Sequence, residues 1–277
     1  MMFENILKCP VCGEPLKIEE KRAFCGKNHS FDKAKEGYFY LITKQGYSLS
    51  GDSAESVRAR REFLNSGYYE VLARALVETV EKYGKDAKIL TDACCGEGYY
   101  SGYIKENSAL NLSVTGFDLS KSAVKLAAKA YPESLFYTAN ISAIPQLDSS
   151  ADILLHSFAP VHNGEFSRVL KKGGFLIDVI PAKRHLWQLK EVLYEKPYEN
   201  DEKSSVEEPF RLVESITVTD TVTLDKNGVK NVLFMTPYAY KTAESAEKRL
   251  LALESLTTEV GFVVNVYNHY KNAKDAF

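Results

Sequence analysis

Between residues 88 and 118 the sequence runs K-I-L-T-D-A, C-C-G-E-G, Y-Y-S-G-Y-I-K-E and, after a short gap, N-L-S-V-T-G-F-D. An apolar run, a glycine break, a helical stretch and a second apolar run ending in an acid make one βαβ unit. Gly96 and Gly98 let the backbone come close to a ligand. Asp118 lies about 20 residues beyond them, where a carboxylate can accept hydrogen bonds from ribose hydroxyls. Such a unit belongs to a nucleotide-binding α/β sheet. Further strands are expected at 135–139, 151–158 and 174–180, with a helix around 163–170 before the turn Lys171-Lys172-Gly173-Gly174. Beyond these, 211–224 reads as a strand or strand pair, 228–236 and 242–256 as helices, and 260–268 as a strand that completes a seven-stranded sheet. The hydrophilic run 199–209 reads as a mobile loop.

Ahead of this unit stands a different signal. Cys9, Cys12, Cys25 and His29 have the spacing C-x2-C-x12-C-x3-H, which suits a tetrahedral zinc site built from two short loops. Pro10 and Gly13 favour the turn, and 15–24 reads as a short hairpin between the ligand pairs. Some 40 residues bury too little apolar surface to fold alone, whereas zinc binding worth roughly 10–16 kcal/mol makes binding and folding one event. Four protein ligands leave no open position, so the metal is structural. From His29 to Ile42, lysines alternate with Phe31, Tyr38, Phe39 and Tyr40. Rings among cations suit stacking on unpaired bases, or else the rings pack the small domain's core.

The connector holds two helical stretches broken at Ser66-Gly67, with Ser53 or Asp52 as the first cap. Val71, Leu72, Ala75, Leu76 and Val80 give the second helix one apolar face, expected to lie against the sheet. Arg58, Arg60 and Arg61 form the densest positive group, read either as RNA backbone contacts or as a solvated face tempered by Glu55 and Glu62.

Composition limits the partners. A formal net charge of −2 over 277 residues excludes binding nucleic acid through the overall field and leaves room only for a regional basic surface. No apolar run reaches the length of a membrane span, and the first residues lack a signal-peptide pattern, so no membrane association and a cytoplasmic location are expected. Clustered Cys and His in a reducing compartment bind metal more often than they form disulfides.

The loop D-A-C-C-G-E-G, Asp92 to Gly98, resembles the D-x-G-C-G-x-G motif of class I S-adenosylmethionine-dependent methyltransferases, with Cys94 where that pattern has glycine. Asn140, after the third strand, is either an adenine contact or a turn former. The cysteine pairs, D-K-A-K-E-G-Y (32–38), G-D-S-A-E (51–55), R-R-E-F-L (60–64), C-G-E-G-Y-Y (95–100), F-A-P (158–160), P-A-K-R-H-L (181–186) and M-T-P-Y (235–238) together resemble the bacterial 23S ribosomal RNA guanine-N1 methyltransferases, essentially from end to end.

That resemblance implies a class I, Rossmann-like α/β fold with an N-terminal zinc domain, a cofactor of S-adenosylmethionine, and methylation of guanine N1 in a 23S rRNA hairpin loop lining the exit tunnel. It implies a homodimer, and it spans two branches, one of which contributes to tylosin-type macrolide resistance. It assigns Tyr69, Gly96, Glu97 and His185 to the cofactor pocket, beside Asp92, Gly98 and Asp118 of the loop and its acid, and Cys9, Cys12, Cys25 and His29 to zinc. Aromatic and basic residues cluster in 27–61 while the cofactor loop lies beyond 88, so the expected division is 1–46 for zinc and RNA recognition, 47–84 for the connector and 85–277 for the methyltransferase. A chain starting near residue 48 is expected to bind S-adenosylmethionine but not to methylate ribosomal RNA. In H-S-F-A-P (156–160), on the acceptor side, His156 and Phe158 are candidates for proton handling and base stacking, or Phe158 packs the core and His156 merely ends a strand. A small-molecule methyltransferase with a zinc ornament and an idle RNA-binding module are the alternatives. Intact Gly96, Glu97, Gly98 and Asp118 argue against idleness.

Overall fold

The computed structural model of the chain describes residues 3–43, 52–240 and 242–270. The head contributes β1 (Lys17–Ile18), β2 (Arg22–Phe24), β3 (Ser30–Asp32) and β4 (Phe39–Tyr40), and the connector α1 (Ala54–Asn65) and α2 (Glu70–Tyr83). Then follow β5 (Ile89–Ala93), α3 (Tyr99–Asn107), β6 (Ser113–Asp118), α4 (Lys121–Ala130), β7 (Leu135–Thr138), β8 (Ala151–Ser157), α5 (Asn163–Val169), β9 (Leu170–Pro181) and α6 (Trp187–Leu193). The last part holds β10 (Phe210–Asp225), α7 (Lys226–Phe234), a 3-10 turn (Pro237–Tyr240), α8 (Glu244–Leu251) and β11 (Ser255–His269).

The main sheet has the order β10-β11-β9-β8-β5-β6-β7-β4. It contains eight strands, not the expected seven, because β4 of the head pairs in parallel with β7, Phe39 opposite Tyr137 and Tyr40 opposite Thr138. The middle strands are parallel, and β5 and β6 are almost wholly buried, as strands covered by helices on both faces must be. β10 and β11 are antiparallel. The run 211–224 is thus one long strand, and the apolar period at its partner begins at Ser255 rather than 260. The Lys171–Gly174 turn is absorbed into β9, where Gly173 at φ +84° accompanies a register shift against β8. Segment 199–209 is held down: Ser204 Oγ donates to Asp178 Oδ2 at 2.7 Å, and the Lys183 N–H to Glu202 Oε1 at 2.9 Å.

Ser53, not Asp52, caps α1, its hydroxyl accepting from the Ser56 N–H. Leu72, Leu76 and Val80 of α2 are buried in the large cluster beneath the sheet, as their spacing predicts.

The head is welded on at two places. Leu7 bridges to Gln146, and the Leu147 N–H donates to the Ile6 carbonyl at 2.8 Å. Phe39 is fully buried and Tyr38 nearly so, Tyr38 packing on Val124, Ala127, Ala128 and Phe136. The proposed boundary after residue 46 lies outside the described residues, yet the sheet's own edge strand lies before it. A chain starting near residue 48 therefore loses an edge strand and bares the side chains under it. We predict that Phe39→Ala destabilises the methyltransferase sheet, not the head alone, by roughly 3–5 kcal/mol. Denaturant unfolding followed at a probe in β5–β9 checks this, and an unchanged midpoint there would refute it.

Candidate active site and metal centre

The metal centre is the simpler of the two. The ligand atoms of Cys9, Cys12, Cys25 and His29 all lie within 4.8 Å of one another. Tetrahedral zinc, with Zn–S near 2.3 Å and Zn–N near 2.0–2.1 Å, requires S···S edges of about 3.8 Å and S···N edges of about 3.6 Å. The observed edges are 3.7 Å for Cys12–Cys25, 3.6 Å for Cys9–His29 Nδ1 and 3.4 Å for Cys25–His29 Nδ1. The donor set fits zinc in kind and in size. Cys9 and Cys25 are buried beside Ile6, Leu7, Leu16 and Ala23, so the metal site is also the head's core.

The second site follows from strand order. β5 pairs in parallel with both β6 and β8, so connections leave in opposite directions past the ends of β5 and β8, and a crevice opens there. The loop after β5 enters it from one side and residues 158–162 from the other.

Three acids meet at the β5 loop. Asp92, at the end of β5, is buried, and burial chiefly, with the charge of Asp118, lifts its carboxyl to about 7 against hydrogen bonds from Ser101. Glu97, only 4% exposed, is likewise raised by burial to about 7 despite Arg61 and Arg60. Its Oε1 has no partner among the described residues. Asp118 is raised by burial and opposed by the N–H groups it accepts from, Ser120 at 2.8 Å and Gly96 at 2.9 Å. The loop between them turns through positive φ at Cys94, Gly96 and Gly98. A Cβ at Gly98 would stand 3.1 Å from both Ala127 and Phe136. Three acids, one with an unpartnered oxygen, around a glycine loop suit a ligand that carries hydroxyls and positive charge. S-adenosylmethionine, with ribose hydroxyls, an ammonium and a sulfonium, is such a ligand.

Two of the three connector arginines turn inward onto this loop. Arg61 Nη1 lies 3.2 Å from Glu97 Oε2, while Arg60 pairs with Asp52 at 2.5 Å and donates to the Met235 carbonyl at 3.4 Å. Their ion pairs weigh against the phosphate-contact reading, and Arg58 alone of the three is exposed. The sequence signal was present, since three arginines within 58–61 precede an acid-bearing loop in need of neutralisation, but nothing local said which way they point.

The remaining candidates divide. Tyr69 and His185 are brought together as the resemblance implies: Tyr69 Oη and His185 Nε2 are 3.0 Å apart, both buried. The Gly261 N–H donates to His185 Nδ1 at 3.2 Å, so Nε2 carries the proton, and burial chiefly, with Lys190, holds this imidazole neutral with a pKa of about 3. Phe262, missed in the sequence, packs on both rings and lies 5.9 Å from Phe158, whose other neighbour is Tyr100 at 6.4 Å. Phe158 is not core: it is 47% exposed at the end of β8, with its backbone in the left-handed region at φ +57°. His156 does not line the crevice. It is 1% exposed, packs on Phe166 under α5, and bonds through Nδ1 to Asp178 Oδ1 at 2.7 Å. Strand alternation puts it on the opposite face from Leu155, which no residue count alone reveals. Asn140 Oδ1 accepts from the Ser142 N–H and hydroxyl, both at 2.9 Å, so the side chain shapes a turn at the strand end.

Comparison with known proteins follows the same two-part layout. Residues 7–46 match the family profile described as RlmA, N-terminal, a zinc ribbon, and residues 91–178 match the methyltransferase domain profile. A Micromonospora griseorubida protein named as a 23S rRNA (guanine-N1)-methyltransferase is 32% identical over 204 residues, 66% of this chain and 68% of that one. The 23S rRNA (guanine(748)-N1)-methyltransferase of Streptomyces fradiae is 29% identical over 271 residues, 93% of this chain and 95% of its own. A Bacillus subtilis protein of like name is 27% identical over 276 residues, 95% of this chain and 97% of its own.

Two predictions follow from the loop. A non-glycine residue in the left-handed region costs roughly 1–2 kcal/mol, against roughly 0.5–1 kcal/mol for glycine's extra unfolded freedom. Cys94→Gly is therefore expected to raise stability by about 0–1.5 kcal/mol in thermal unfolding, and a clear loss of stability rejects the strain. For pH, Asp92 and Glu97 have folded pKa values above their unfolded ones, so the stability their protonated forms contribute is full below the ordinary carboxylate range and is lost as pH rises through about 7. A cationic ligand favours the ionised forms. Calorimetric affinity for S-adenosylmethionine should rise between pH 6 and 8 with proton release, and a flat profile would contradict it.

Proposed function

The chain belongs to the 23S rRNA (guanine-N1)-methyltransferase family, and from that membership we propose that it transfers a methyl group from S-adenosylmethionine to N1 of a guanine in 23S ribosomal RNA. The observation that carries this reading at the site is the exposed, backbone-strained Phe158 facing the acid-lined glycine loop across the crevice at β5 and β8. S-adenosylmethionine supplies an electrophilic methyl on sulfonium. Asp92, Glu97 and Asp118 would hold it with the backbone of 94–98, beside the Tyr69–His185 pair.

Methyl transfer from sulfur to nitrogen is a direct displacement, and positioning provides most of the acceleration. Phe158 stacks on the extruded guanine, and the backbone carbonyls of 158–160 are the polar groups offered to its edge. Guanine N1 loses its proton in the reaction. His156 is too deeply buried to take that proton from the crevice, so we assign it no direct contact with substrate.

In this reading residues 1–46 form the RNA-recognising zinc unit, 47–84 the connector and 85–277 the methyltransferase unit, with β4 as the seam. We take the target to be a hairpin loop, the protein to be a homodimer and the location to be cytoplasmic. No helix among the described residues is long and apolar enough to cross a membrane.

Mass mapping of 23S rRNA before and after incubation with protein and S-adenosylmethionine tests the activity, with one N1-methylguanosine expected. Asp118→Ala is expected to lose cofactor affinity by about tenfold or more while remaining folded, from the loss of a charge-assisted hydrogen bond worth roughly 1.5–3 kcal/mol. Wild-type affinity in calorimetry would remove Asp118 from the pocket.

A further inference from the structure

Helix α4 carries Lys121, Lys125 and Lys129 at intervals of four, all exposed, while Val124, Ala127 and Ala128 face inward. Four residues of helix rise about 6 Å, so the three ammonium groups form a stripe about 12 Å long that starts three residues beyond Asp118, at the cofactor end of the sheet. The docked head extends it. Glu36, 7% exposed, lies 3.2 Å from Lys125 and 4.0 Å from Lys35, so these two lysines meet over one acid across the seam. Lys33 is exposed elsewhere on the head, its Nζ 6.0 Å from the ring of Phe39. Lys121 Nζ stands 5.8 Å from the ring of Tyr40, which is 40% exposed on β4. Lys125 and Lys35 thus share one largely buried carboxylate, and Lys121 and Lys129 continue the stripe along α4; of the acids adjacent in sequence, Glu133 follows the helix. In a protein of formal net charge −2, such a stripe is a regional concentration of positive charge.

We propose that Lys35, Lys121, Lys125 and Lys129 form a track for the phosphodiester backbone of the RNA substrate, with an unpaired base stacked on Tyr40. This deepens the proposed function and rests on it. The other rings of the 29–42 segment are not available for the role: Phe39 and Tyr38 are buried and Phe31 is packed in the head. Point-charge ammonium groups suit phosphate, and a ring with a cation beside it and one open face suits a base. The track begins at the cofactor end of the sheet, so a strand lying on it leads toward the crevice where Phe158 waits. It exists only when head and core are docked, since each supplies part of it.

The test compares full-length wild type with Lys121→Gln/Lys125→Gln/Lys129→Gln, Tyr40→Ala and Tyr40→Phe, using a protein-free 23S rRNA transcript and S-adenosylmethionine. The triple variant is expected to lose about 2 from the slope of log affinity against log salt, near 0.7 per single-strand phosphate contact, with cofactor affinity unchanged. Tyr40→Ala is expected to weaken RNA binding about 5- to 150-fold at unchanged slope, and Tyr40→Phe to restore it. A control, Lys226→Gln/Lys248→Gln on α7 and α8, should bind as wild type. Active wild type together with unaltered RNA affinity and salt slope in the triple and Tyr40→Ala variants overturns the track and leaves the function standing. Wild type that binds cofactor yet methylates no 23S rRNA overturns the function, and the track with it.

Discussion

The parallel pairing of β5 with β8, Leu90 against Ile153 through Ala93 against His156, is the constraint on which the site depends. Because β6 leaves to one side and β9 to the other, no crossover helix covers the ends of these two strands. The crevice is a consequence of strand order and needs no separate device. Whatever follows β5 and whatever follows β8 must face each other across it. Here those are the glycine loop with its acids and Phe158. Both carry left-handed backbone outside glycine, at Cys94 and Phe158, and strain of this kind persists only where surrounding structure enforces it. The enforcing contacts are visible: the Phe158 N–H donates to the Val179 carbonyl, and the Cys95 N–H to the Phe117 carbonyl.

Charge is distributed with the same economy. Gathering Asp92, Glu97 and Asp118 around one loop, Asp92 and Glu97 buried, would be costly if all three were ionised and unpaired. Arg61 against Glu97, Arg60 nearby, and two N–H donors to Asp118 offset part of that cost, and raised carboxyl pKa values absorb the rest. The loop is therefore poised for a positively charged ligand, and the connector helix α1 closes on it through Arg61. Its N-terminal neighbour Asp52 anchors Arg60, while the Asp52 carbonyl accepts from Ser120 Oγ. The path from head to core thus touches the residues flanking Asp118 on its way.

Where sequence reading succeeded and failed has a pattern. Ser53 capping α1, the apolar stripe of α2, the βαβ unit and the tetrahedral ligand set all rest on residues within a few tens of positions of each other, and all are present. The readings that failed required knowing what lies opposite. Arg60 and Arg61 look like phosphate ligands until Asp52 and Glu97 are placed beside them. His156 looks like a general base until α5 and Asp178 cover it.

The sequence by itself determined the two chemistries, since metal ligation needs four donors at fixed local spacing, and a nucleotide loop needs glycines and an acid one βαβ unit apart. It also determined most of the strands, through apolar runs whose burial on both faces leaves no other state. Tertiary structure alone decided that Phe39 and Tyr40 become the eighth strand, that the head and core share one sheet, and that Lys125 of α4 meets Lys35 of the head over Glu36. The partners in these contacts are about 100 residues apart in sequence, as Tyr40 is from Thr138, and no local period carries their meeting. They form because burying Tyr38 and Phe39 against α4 and β7 removes apolar surface that the small zinc-bound head has no means to cover.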